Sequence, residues 1–123
     1  MKKKPIAFNY PLIVYNELIT KAKNKSVIDY EYIMLLTKNN YSIVEINKIL
    51  ETHSLSDIAK GRPELWVLVS ETMNSLPSNR YFSFLKKNKL MEPNGNKEIV
   101  YKAQLKKAHD YWPRRKRSGK KFR

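Results

Sequence analysis

The side chains with most chemistry to offer in this sequence are cations. Arg114, Arg115, Lys116, Arg117, Lys120, Lys121 and Arg123 crowd the last ten residues, RRKRSGKKFR. An arginine fork donates two parallel hydrogen bonds to a phosphate and lysine supplies a point charge, so this run suits a polyanion. By itself it carries no base-reading information. A second set, Arg80, Lys86, Lys87, Lys89, Lys97 and Lys102, is spread over the preceding stretch. Tyr111, Trp112 and Phe122 flank the basic run. They either stack on unpaired bases or, for Tyr111 and Trp112, anchor the last helix to the core.

Reaction chemistry is poorly provided for. His53 and His109 stand 56 residues apart, there is no cysteine, and no His/carboxylate cluster has metal-ligand spacing. The three glycines, Gly61, Gly95 and Gly119, make no phosphate-cradling loop. Glu45 with Lys48, and Glu98 with Lys102, imitate a nuclease-like acid–lysine pair. The same spacings are ordinary surface neighbours, and no second carboxylate stands ready to share a metal. The expectation is a protein without enzymatic activity, cofactor or metal.

The cations are unevenly distributed. The chain has 123 residues and a formal charge of +14. Residues 5–79 hold seven basic and eight acidic groups, whereas residues 80–123 hold fifteen basic and three acidic ones. A near-neutral front joined to a strongly basic back is the pattern of a polyanion binder, with nucleic acid ahead of anionic lipid. The longest wholly apolar runs are about five residues, against the ~20 a spanning helix needs. The start, MKKKPIAFNYPLIVY, is basic then apolar, but Asn9 and Pro11 interrupt it and no small-residue cleavage site follows. The expected location is therefore cytoplasmic or virion-associated, and nuclear only in a eukaryote, where the tail would double as a localisation cluster.

The elements that must position these groups read as short helices. Pro11 suits a first helical turn, and Leu12, Tyr15, Leu18, Ile19 and Ala22 follow at helical spacing. Ser26 with Asp29, Ser42 with Glu45, and Ser54 with Asp57 are capping-type starts three residues apart. Pro63 opens a helix expected to reach Leu76, with Leu65, Trp66, Leu68, Val69 and Met73 inward. Ser78 or Asn79 caps a helix to about Leu90. Asn94-Gly95 is the strongest short signal for a two-residue hairpin, and a last helix runs from Ala103 to Tyr111. The expected fold is mainly α: a compact bundle of short helices with a small β-hairpin near residues 90–102. Residues 1–10 form a basic arm, 11–112 a single helical domain, and 113–123 a disordered basic tail. The stable core is expected within residues 5–76.

Two segments carry a family likeness. TKNNYSIVEINKILETHSLSDIAKG resembles a helix–turn–helix, with Ile46 and Leu50 inward on the first helix and Leu55 and Ile58 on the second. SNRYFSFLKKNKLMEPNGNKEIVYK resembles the last helix and wing of winged-helix DNA-binding domains. That resemblance implies that Arg80, Lys86, Lys87 and Lys89 lie on or beside a groove-entering helix, with Lys97 and Lys102 on the wing. Helix 63–76 is long for the family's usual partner helix, and Trp66 is unusual there.

Two function classes follow. One is a nucleic-acid-binding protein, for DNA or RNA, that contacts phosphates through residues 80–123. The other is a structural subunit of a ribonucleoprotein or virion, whose basic tail threads into nucleic acid. There residues 5–79 would dock on a protein partner or a second copy. The Lys/Asn/Ile-rich composition suits a phage or a low-GC bacterium.

Overall fold

Asn9 starts the first helix, its side-chain oxygen accepting from the Leu12 N–H at 3.1 Å while Pro11 fills a position whose amide would have no helical partner. In the computed structural model the backbone is described for residues 9–72 and 75–120, and side chains as far as Trp112. The order is α1 (Tyr10–Lys23), β1 (Ile28–Asp29), α2 (Tyr30–Leu36), α3 (Ile43–Ala59), a 3₁₀ turn (Trp66–Leu68), β2 (Val69–Ser70), α4 (Asn79–Lys87) and α5 (Lys97–Lys120). The protein is mainly helical. Among the described residues the only sheet is β1 and β2 paired in parallel, Ile28 opposite Val69 and Asp29 opposite Ser70.

The predicted helix 63–76 is not formed. Leu65 to Ser70 are all buried, which a helix lying on a core, with one face outward, would not give. A short segment buried on every side fits the 3₁₀ turn and strand instead. Glu64 holds the turn, its Oε1 accepting the Val67 N–H at 3.2 Å. Met73 lies outside the described residues. Ser26 does not cap α2 either: Asp29 does, accepting from Tyr32 N–H at 2.9 Å.

The helix–turn–helix expected over residues 39–61 is one continuous helix, α3. Ser42 and Glu45 form a reciprocal capping box at its start. Its inward stripe runs Ile46, Leu50, Ser54, Asp57. The last two are polar, so the apolar pattern breaks where the helix does not. His53 accordingly sits within α3, its Nε2 2.8 Å from the Pro11 carbonyl.

The wing is likewise absent. Gly95 N–H closes a turn onto Glu92 O at 2.9 Å, and Asn96 caps α5 by accepting from Ile99 N–H at 3.0 Å. Asn94-Gly95 is thus a turn before a capped helix, and Lys97 and Lys102 are helical. At its far end α5 carries on past Pro113 to Lys120, where a disordered tail from 113 was predicted. Pro113 has no N–H for the carbonyl four residues back, that of His109. Lys25 Nζ donates to that carbonyl at 3.3 Å instead. Residues 1–8, which include most of the expected basic arm, and residues 121–123 lie outside the described residues.

The core extends beyond the expected 5–76. Val14, Leu18 and Ala22 line one face of α1, which packs most extensively against α5. Burying a residue such as Leu18 contributes about 1.5–3 kcal/mol. Trp66 stands at the centre, with the rings of Phe84 and Tyr81 at 5.2 Å and 5.8 Å. Its Nε1 donates to Tyr30 Oη at 3.3 Å, and that hydroxyl donates to Asn47 at 2.6 Å. Tyr81, Phe82, Phe84, Leu85, Met91 and Ala108 complete the core.

Helices α1 to α4 end alike. Lys25, Lys38, Gly61 and Lys89 take positive φ, between 55° and 76°. The next amide then reaches back five residues, as Leu90 N–H does to Leu85 O at 2.8 Å. Only one of the four is glycine. Lys89 is exposed and its side chain makes no hydrogen bond or ion pair with a described residue. Lys89→Gly is therefore expected to raise stability by about 0.5–1 kcal/mol, measured as a later urea midpoint. An earlier midpoint would mean that the turn gains nothing from relief of backbone strain.

Candidate nucleic-acid interface

Nine residues make α4, and its burial is sharply divided. Tyr81, Phe82, Phe84 and Leu85 face the core, while Asn79, Arg80, Ser83, Lys86 and Lys87 are exposed. At about 100° per residue these five occupy one arc of roughly 120°. Three cations and two small polar groups thus share one surface, because four large apolar residues fix the opposite side in the core. The side chains of Arg80, Lys86 and Lys87 form no hydrogen bond or ion pair with any described residue.

Lys97 joins this surface from the first turn of α5. Its Nζ donates to Asn79 Oδ1 at 2.9 Å and lies 5.4 Å from the centre of the Phe82 ring. Lys89 follows α4 in the turn to α5, beside Lys86 in an open hollow floored by Met91. Lys102 lies farther along α5, exposed and unpaired among the described residues. The geometry therefore gathers Arg80, Lys86, Lys87 and Lys97, with Lys89 at the margin. It does not tie Lys102 to them. Arg114, Arg115, Lys116, Arg117 and Lys120 belong to the backbone of α5, with side chains beyond those described, and Lys121 and Arg123 lie outside the described residues. Glu51 of α3 shares a shallow groove of about 340 Å³ with Arg80 and Lys87.

A second constellation escaped the sequence reading. Between the end of α3 and the middle of α5 opens a cleft of about 480 Å³. At its floor Glu64 is 2% exposed. Its Oε2 accepts from Tyr81 Oη at 2.7 Å and Gln104 Nε2 at 3.1 Å. Burial drives the Glu64 carboxyl above its ordinary value, against the opposing pull of those hydrogen bonds. Burial and the neighbouring carboxyl also hold the Tyr81 phenol well above its usual range. On the rim, Arg62 pairs with buried Asp57, Nε and Nη2 both 2.9 Å from Oδ1. Tyr15 Oη donates to the same oxygen at 2.6 Å, and Asp57 Oδ2 has no partner among the described residues. The available signal was Gln104, a lone polar residue in the stripe otherwise formed by Val100, Ala108 and Tyr111.

No helix among the described residues is long and apolar enough to cross a membrane. Neither do the described residues hold a group of three metal-binding side chains. Compared with protein-family models, curated proteins and solved structures, the chain matches none.

Proposed function

We propose that this is a non-enzymatic nucleic-acid-binding protein whose contact surface is the exposed face of α4, extended by Lys97 and by the basic residues after Tyr111. The observation that carries this is the single unpaired basic face of Arg80, Lys86 and Lys87. Structural cations usually have acidic neighbours, as Lys21 has Glu17 and Lys106 has Asp110. These three form no ion pair with a described residue, Glu51 in the groove beside Arg80 and Lys87 included, and the charge of the chain is concentrated on their side of the sequence. Unpaired cations on a rigid helix release counterions when they meet phosphates, which favours binding at low salt. Of the family likeness drawn from the sequence, a groove-entering α4 is the part this reading retains.

The test is salt-dependent binding of a random duplex, followed by fluorescence anisotropy. If all three side chains reach phosphates, replacing them with alanine should lower the log–log salt slope by roughly 2.7. Deleting residues 114–123 should lower it by about five if six tail charges contribute. An unchanged slope in the triple variant would remove α4 from the interface. A larger loss on a selected duplex than on random DNA would mean that α4 also reads bases.

One observation favours the assembly-subunit reading. Leu35, Ile43 and Val44 are 65%, 49% and 58% exposed, all in the near-neutral half. Such residues suit a protein partner or a second copy, in the cytoplasm or in a virion. Sedimentation would distinguish the cases: a stable monomer at high concentration argues against self-association.

A further inference from the structure

We infer that the cleft between α3 and α5 binds a single unpaired nucleotide with an amino-bearing base, the base edge on Gln104 and the phosphate on Lys107 and Arg62. This deepens the nucleic-acid reading and rests on it. The floor is built rather than incidental. Glu64 only accepts from Gln104, which fixes the carboxamide with its nitrogen toward the carboxyl. The side-chain oxygen of Gln104, Oε1, then accepts no hydrogen bond from the described residues, though the residue is only 8% exposed. It is not one of the fully enclosed unpaired atoms, and Gln104 lines the cleft. In such a nearly buried setting a donor that meets this oxygen gains more than it would in open water. The exocyclic amine of adenine, cytosine or guanine is such a donor; uracil has no exocyclic amine and offers only its ring N3–H.

The remaining chemistry lies at the right places for a nucleotide. Gln104, Lys107 and Tyr111 follow at intervals of three and four, so they form one stripe along α5. The Lys107 side chain forms no hydrogen bond or ion pair with a described residue. Arg62 uses Nε and Nη2 on Asp57 and Nη2 again on Tyr15, which leaves Nη1 for a phosphate. Tyr111 offers a ring wall, held edge-on by Trp112 at 5.1 Å between centroids. Asp110 also lies on the rim, but Lys25 and Lys106 approach it at 3.8 Å and 2.8 Å and balance its charge. The volume suits one nucleotide, and a stacked, paired base could not turn its edge into it.

Gln104 is the sole glutamine in the sequence, so side-chain ¹⁵N-glutamine labelling gives the full chain one reporter at the floor of the cleft. Titration with CMP should move that signal and saturate with a Kd of about 1 mM or below. UMP should bind more weakly, and inorganic phosphate should leave the signal in place. Lys107→Glu, at an exposed position, should weaken CMP by roughly tenfold with the thermal midpoint unchanged. If a single-stranded oligonucleotide moves the signal too, the ligand is an unpaired base within a strand. If CMP alone does, it is a free nucleotide. No movement with any of AMP, GMP, CMP and UMP overturns the inference, as does equal movement with phosphate alone. A silent cleft alongside a lowered salt slope for the α4 variant would leave the nucleic-acid reading standing. A responsive cleft alongside an unchanged slope would remove only α4.

Discussion

Replacing Glu64 with alanine is expected to lower stability by about 3–5 kcal/mol, through lost hydrogen bonds and the cavity left behind. Three donors converge on this carboxyl: Tyr81 Oη, Gln104 Nε2 and the Val67 N–H. Tyr81 and Val67 are fully enclosed and would find no other acceptor. Glu64→Gln separates shape from charge. It keeps the volume, and its amide can still meet Tyr81 and a rotated Gln104. At neutral pH its stability is expected within about 1 kcal/mol of the parent, because the cost of desolvating a carboxylate disappears with the charge. The pH dependence gives the cleaner sign. The folded-state pKa of Glu64 is raised above its ordinary 4.5. Its contribution is therefore greatest below that value, falls as pH rises from it toward the folded value, and is flat above. The difference in stability between parent and Glu64→Gln should shift against the parent over this interval. A constant difference across it would show that the carboxyl titrates alike in both states. Urea unfolding of both proteins at a series of pH values measures it.

The same residue shows why only part of the fold was legible. Helix starts at Pro11 and Ser42 are written in local chemistry and occur where expected. The stretch from Pro63 to Leu76 was misread because a run of buried apolar residues looks alike in a buried helix and in a turn followed by a strand. What decides between them is Glu64 bonding forward to Val67 and Ser70 lying opposite Asp29, and the second of these is remote in sequence. In α3 the error ran the other way. Buried Ser54 and Asp57 look like a new helix start when only apolar residues are counted as inward. The α4 cations were legible because exposure there follows directly from period and polarity. The cleft was not, since Arg62, Glu64 and Gln104 meet only through the packing of α5 on the rest.

Arg62→Met is the second change expected to act strongly. The Asp57 side chain is 1% exposed and Arg62 is its only ion-pair partner among the described residues. Removing one partner of a fully buried pair costs about 3–5 kcal/mol. Because the Arg62 side chain is itself 25% exposed, a discounted loss of about 2–3 kcal/mol is expected, or roughly 10 °C in Tm. Methionine preserves apolar cover over the Trp112 ring, which the guanidinium carbon approaches at 6.0 Å. Asp57→Asn in the same background should recover part of the loss, since the charge left unpaired is then removed. A double-mutant cycle read by thermal unfolding gives the coupling. Strict additivity would show that Arg62 acts through packing alone.

The pairing of α1 with α5 sets an order of events during synthesis. The face of α1 that carries Val14, Leu18 and Ala22 is made early, yet its principal cover begins only at Lys97, roughly 70 residues later. At about 5–20 residues per second, a ribosome needs roughly 4–15 s to deliver that cover. Throughout that interval the nascent chain presents an apolar stripe without its final neighbour. The partners of α1 in α3, His53 on Pro11 and Asp57 on Tyr15, are synthesised first, and the parallel contact of β1 with β2 becomes available next, when Val69 and Ser70 have emerged and before the last helix arrives.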